Sequence, residues 1–122
     1  AMRLVGRLGR HAYEGLAFKP DEQARLVRAL GSGDGLILDN HGILMVGRTV
    51  AEAFVLLHFL ERAVQIQSHL MAASPSQFLQ VSPEVTALTQ QQWLGDGQTP
   101  EGQDEWPALL RSVAETDPDF AD

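Results

Sequence analysis

Gly35 to Ala73 reads GLILDNHGILMVGRTVAEAFVLLHFLERAVQIQSHLMAA, and two apolar runs near its start decide the fold. Leu36-Ile37-Leu38 and Ile43-Leu44-Met45-Val46 are separated by Asp39-Asn40-His41-Gly42. Asn and Gly tolerate positive φ, so the four residues predict a tight turn between two strands. Neither run alternates with polar residues, which predicts strands covered on both faces. Thr49-Val50-Ala51-Glu52 follows as a capping box, in which the threonine hydroxyl accepts from the N3 amide and the glutamate reaches back. It opens the longest helix, predicted over about residues 50 to 72 and stopped by Ser74-Pro75-Ser76. Val50 to Leu60 is apolar almost all round and is expected to be deeply buried, whereas Glu61, Arg62, Gln65, Gln67 and Ser68 turn the second half polar.

Upstream, Tyr13-Glu14-Gly15-Leu16-Ala17-Phe18 reads as a short strand, with Gly15 marking a bulge or a close backbone approach. Pro20 fits a first helical position, and Asp21 and Glu22 put negative charge where a helix N-terminus favours it. Ala24, Leu26, Val27 and Leu30 give that helix an apolar face, and Gly31-Ser32-Gly33-Asp34-Gly35 ends it. Downstream, Ser82 caps a helix with Pro83 at N1 that ends near Gly95. A Gly- and Gln-rich loop leads to a last short helix around Trp106 to Ala114. There is no internal repeat and no domain boundary. The expected organisation is a core of about residues 10–73 and a C-terminal helical extension of about 74–122 that packs on a neighbour.

At 122 residues the chain has the length of one ordinary domain. Its hydrophobic fraction of 44% argues against general disorder, and no apolar run has the ~18 residues of a membrane span. No signal-like stretch follows the basic residues at the start, so a cytoplasmic protein is expected. The formal charge is −7, which makes nucleic acid an unfavourable partner. Arg3, Arg7, Arg10 and Arg25 lie in the first quarter and the last quarter is acidic, an asymmetry that reads as solvated surface. Without cysteine there are no disulfides, iron–sulfur clusters or thiolate metal sites.

The ordered set of strand, Asn40-His41-Gly42 turn, strand, Gly47-Arg48-Thr49 cap and long helix bearing Ala53-Phe54 and Leu60-Glu61-Arg62-Ala63 resembles the class II aldolase/adducin family. His11-Ala12-Tyr13-Glu14-Gly15 is similar to the His-Asp-Tyr-Glu-Gly pattern of its adducin-like branch, with alanine in place of aspartate. Trp106-Pro107-Ala108-Leu109-Leu110 and Asp117-Pro118-Asp119-Phe120 resemble that branch's C-terminus. The resemblance implies a three-layer α/β/α class II aldolase-like fold, of which only the C-terminal half is present.

In the family's aldolases three histidines hold a divalent metal, usually zinc. Two come from a His-X-His pair in the first half of the domain; the third is the turn histidine matched here by His41. The metal polarises the carbonyl of a ketose phosphate as a carbon–carbon bond breaks. From spacing alone His41 reads as a turn histidine bonded to backbone; the resemblance makes it a metal ligand. Such a zinc needs three protein ligands and an open position, so this chain by itself is not expected to hold zinc or another divalent metal stoichiometrically. His58 and His69, eleven residues apart on one helix, are separated by roughly 16 Å and cannot share an ion. His58 reads as a core filler or subunit contact, and His11 reads as structural. Tyr13 and Glu14 read as a strand tyrosine beside a surface carboxylate. No catalytic residue is identified, and Gly6-X-X-Gly9 and Gly31-X-Gly33-X-Gly35 lack the context of nucleotide loops.

Three functions follow from the resemblance. The first is a metal-dependent lyase of the aldolase type acting on a small sugar phosphate or related hydroxy-carbonyl compound. The second is a non-catalytic adducin-like assembly or binding module. The third is a folded but inactive remnant of such a protein. The apolar strands need more cover than these helices supply, so a homo-oligomer is expected. Light scattering should return at least twice the 13.3 kDa chain mass; a soluble, folded monomer would show that these elements close a core alone.

Overall fold

The computed structural model describes residues 2–15, 20–73, 79–95 and 99–121. After a single 3-10 turn (Met2–Leu4) come β1 (Leu8–His11), α1 (Pro20–Leu30), β2 (Gly35–Leu38), β3 (Gly42–Met45), α2 (Val50–Ala73), α3 (Pro83–Leu94) and α4 (Glu105–Thr116). The strands form one sheet in the order β1-β2-β3. β1 pairs with β2 in parallel, Leu8 opposite Gly35 and His11 opposite Leu38, with α1 as the crossover. β2 and β3 pair antiparallel, Leu36 opposite Leu44 and Leu38 opposite Gly42. The turn between them forms where the sequence predicts it: Asn40 adopts a left-handed φ of 54° and the His41 amide donates to Leu38 O at 3.1 Å.

Side-chain alternation sorts the sheet into two faces. Leu36, on the face shared with Gly9 and His11, lies under α1. Gly9 is there because the helix is so close: a Cβ at this position would meet Ala29 O at 2.2 Å. On the opposite face Leu8, Ile43 and Met45 pack against Leu4, Leu56 and Leu60, the last two from α2. Helix, sheet and helix are therefore stacked in three layers, an α/β/α arrangement. α3 packs on the 3-10 turn and α4 on α2, where Trp106 meets Phe54 edge-on at 5.5 Å.

Three expectations change. The first strand is Leu8–His11, not Tyr13 to Phe18; Tyr13 to Gly15 lie beyond the strand, and Leu16 to Phe18 lie outside the described residues. Leu8-Gly9-Arg10-His11 has no alternating pattern to advertise it. It becomes a strand because β2 offers it a parallel partner and Gly9 lets α1 approach. The first half of α2 is also less buried than its composition suggests. Val55, Leu56 and Leu60 are buried, but Val50, Phe54, Leu57 and Phe59 are exposed, because a three-stranded sheet covers only one stripe of the helix. Ile37 in the central strand also stays exposed, against the expectation of strands covered on both faces, because α2 packs mainly on β3.

The start of α2 is fixed by charge as well as by its cap. The Glu52 amide donates to Thr49 Oγ1 at 3.1 Å, as the capping box requires. The Glu52 carboxylate reaches one residue further back than the box demands. It accepts from the Arg48 amide at 2.6 Å and from the Arg48 guanidinium at 3.0 Å, and it also takes the Glu101 amide at 3.1 Å. Burial alone would raise the Glu52 carboxyl above the usual 4.5, but the Arg48 side chain and the two amides outweigh it and hold it lower. A depressed folded value stabilises the fold above the unfolded value and stops doing so as pH falls through the folded one. Glu52→Gln should therefore cost about 2 kcal/mol at neutral pH. That cost should shrink as the pH drops below 4.5. Urea unfolding of both proteins across that range measures the gap, and a gap independent of pH would refute the assignment.

Candidate functional site

A small cavity of about 50 Å³ lies where the C-terminal end of β1, the start of α1 and the hairpin turn meet. The backbone brings these segments together: the Asp39 amide donates to His11 O at 3.0 Å, tying the strand end to the turn. At the surface Arg10 Nε pairs with Asp39 Oδ1 at 2.6 Å across the same junction. His11, Tyr13 and Glu14 arrive from β1 and the residues after it, Glu22 and Leu26 from α1, and Leu38 and His41 from the hairpin.

His41, the metal ligand implied by the resemblance, stands exposed at the hairpin tip with its ring stacked on Tyr13, centroids 6.1 Å apart and planes inclined at 27°. Tyr13, read from sequence as a strand tyrosine, is thus a wall of the cavity. Glu14 is held by Arg25, whose Nε donates to Oε1 at 3.1 Å and whose terminal nitrogen donates to Oε2. That fork is what lowers the Glu14 carboxyl below its usual 4.5, aided by the charges of Arg25 and His11. His11 Nε2 lies 3.8 Å from Glu14 Oε1 and is removed from solvent without a hydrogen-bond partner.

One group of His, Asp and Glu side chains with converging ligand atoms exists among the described residues, and it consists of His11, Glu14 and Glu22. His41 is not in it. The described residues bring no three histidines together and so do not fit the family's zinc on their own. His58 and His69 stand along α2, where His58 meets Phe59 at 5.8 Å, and neither belongs to that group. Reading His11 as structural overlooked its neighbours. The signal was present as His11-X-X-Glu14, but the third member, Glu22, becomes a neighbour only when α1 folds back on β1.

A larger cleft of about 480 Å³ is lined by Arg7, Asp34, Arg48, Glu52 and Glu101. Its charges pair with one another: Arg7 with Asp34 and Glu101, and Arg48 with Glu52. It reads as the seam between the core and the C-terminal segment.

Arg25→Ala should return the Glu14 titration midpoint towards 4.5. Because the folded value is depressed, Glu14 should stay ionised in the wild type until the pH falls further than in the variant. Carbon-13 shifts of the Glu14 carboxyl followed with pH measure this, and identical midpoints would show that the ion pair does not persist in solution.

Residues 2–68 match the family described as Class II Aldolase and Adducin N-terminal domain. A protein of Pseudomonas aeruginosa, provisionally named an aldolase class 2 protein, is 36% identical over 125 residues, covering 96% of this chain and 46% of its own length. Alpha-adducin of Rattus norvegicus is 35% identical over 71 residues, covering 57% of this chain and 10% of the adducin. The crystal structure of an aldolase II superfamily protein from Pseudomonas syringae superposes with a TM-score of 0.90 at 35% identity. The superposition covers 99% of this chain and 48% of that one. The chain thus spans about half the length of the bacterial relatives it matches.

Proposed function

The chain belongs to the class II aldolase and adducin family, and we propose that it is the His41-bearing half of a divalent-metal-dependent lyase acting on a small hydroxy-carbonyl compound such as a sugar phosphate. The observation that carries the reading is the hairpin tip. A left-handed Asn40 turns the chain so that His41 projects exposed beside Tyr13, at the end of a sheet rather than inside a core. In the whole protein His41 would be one of three histidine ligands, usually of zinc. The metal's contribution there would be to polarise the substrate carbonyl. What this chain's own residues do is narrower. The hairpin fixes where His41 stands, Tyr13 limits the rotation of its ring, and the Asp39–His11 backbone bond ties the turn to β1.

A second reading, an adducin-like assembly module without catalysis, is favoured by a separate observation. Adducins are similar to this chain in sequence over about 70 residues, 35% identical in the rat alpha-adducin. Both readings put the protein in the cytoplasm as a homo-oligomer. Self-association is supported by the exposed Phe54, Leu57 and Val64 on α2 and by a sheet whose two outer edges pair with no other described strand. The segment beyond about residue 74 is then a C-terminal extension of one domain. No helix among the described residues is long and apolar enough to cross a membrane.

An activity assay separates the two. The 122-residue chain should cleave ketose phosphates no faster than buffer. Joined to the half that the bacterial relatives carry and this chain lacks, it should gain metal-dependent retro-aldol activity. His41→Ala should then lower kcat/KM by on the order of 100-fold or more. A joined protein that folds and binds metal yet cleaves nothing would favour the assembly module.

A further inference from the structure

We propose that His11, Glu14 and Glu22 form a divalent-cation site for a zinc-like ion, built by this chain alone and without His41. Three observations point to it. The ligand atoms of the three side chains lie within 4.8 Å of one another. Three points so spaced share a centre roughly 2.8 Å or less from each, so closing onto the ~2.0–2.2 Å bonds of zinc requires shifts of well under 1 Å. His11 Nε2 is the lone buried side-chain nitrogen or oxygen without a hydrogen-bond partner among the described residues. Glu22 is 6% exposed, and no described residue hydrogen-bonds or ion-pairs with its carboxylate. A buried imidazole nitrogen without a partner is costly unless something satisfies it, and an ion shared with the neighbouring Glu22 carboxylate would do so.

The donor set suits the ion. One neutral imidazole and two carboxylates are ligands of borderline hardness that zinc accepts, and water can take a fourth position. Arg25 does not disqualify Glu14. Its fork takes two N–H···O bonds, while a carboxylate offers about four lone-pair sites. Arg25 also limits which way the Glu14 carboxylate can turn, much as groups behind a ligand orient it in metal sites. The cavity of about 50 Å³ at the three residues has room for an ion and a water but not for a substrate. The expectation of no stoichiometric zinc counted His41 alone as a ligand, and this proposal departs from it.

The test is calorimetric titration of Zn²⁺ into the full chain after chelator treatment. One Zn²⁺ should bind per chain. His11→Ala and the isosteric Glu22→Gln should each weaken binding at least about ten-fold, while His69→Ala, on the exposed second half of α2, should bind as the wild type does. Circular dichroism establishes that each variant is folded, and Glu22→Gln, which keeps its volume, preserves the test if His11→Ala unfolds. Absence of binding, or wild-type affinity in folded Glu22→Gln, overturns the proposal. Loss of binding in His41→Ala with Glu22→Gln unaffected overturns it as well, because the ion would then sit on the hairpin histidine.

Discussion

Arg7 is almost fully removed from solvent, so its charge must be answered within the protein, and the groups that answer it come from distant parts of the chain. Asp34, just before β2, takes Nε, and Glu101, from the C-terminal segment, takes a terminal nitrogen. The Arg7 carbonyl also accepts the Asp34 amide at 2.8 Å and the Gly35 amide at 3.2 Å, which starts the parallel pairing of β1 with β2. Glu101 shares its carboxylate with Arg3, whose guanidinium lies 4.3 Å from the centre of the Phe59 ring and 4.8 Å from that of Trp93. Its amide donates to Glu52, which holds the start of α2 through Arg48. A single connected polar network thus ties the N-terminus, the sheet, the long helix and the C-terminal segment together.

The network substitutes for a core that is small. Five hydrophobic residues are buried among those described, with Leu8, Ile43 and Met45 half-buried against them. Breaking one member of such a network leaves a buried charge unpaired, which costs more than the intact pair contributes. The same anchoring serves the hairpin. Gly35 begins β2 beside the Arg7 carbonyl, and a Cβ there would meet Met45 Sδ at 2.3 Å. The missing Cβ leaves room for the Met45 side chain where β3 pairs with β2, and His41 is carried at the far end of the pair.

Where local chemistry decides an element, the sequence announced it. The Asn40-His41-Gly42 turn, the Thr49–Glu52 cap, Pro20 at the start of α1 and Ser82 at the start of α3 all lie where their residue types require. The ordering of these elements also sufficed to recognise the family. What stayed hidden depends on partners distant in sequence. Leu8–His11 is a strand because of Gly35–Leu38. The exposure of Phe54 and Leu57 reflects the width of the sheet, which no helical pattern reports. The convergence of His11 with Glu22 requires the crossover through α1. Arg7 and Glu101, 94 residues apart, read simply as surface charge in the sequence.

Hydrogen exchange on the wild type and on Glu101→Ala tests most directly whether the buried network organises the whole fold. If it does, removing the Glu101 carboxylate should speed exchange together at the Gly35 amide, in β3 and in the first turns of α2, far from the altered residue in sequence. Loss of protection confined to the segment around residues 99–116, with β2, β3 and α2 unchanged, would contradict the account and leave the C-terminal segment as a passive cover.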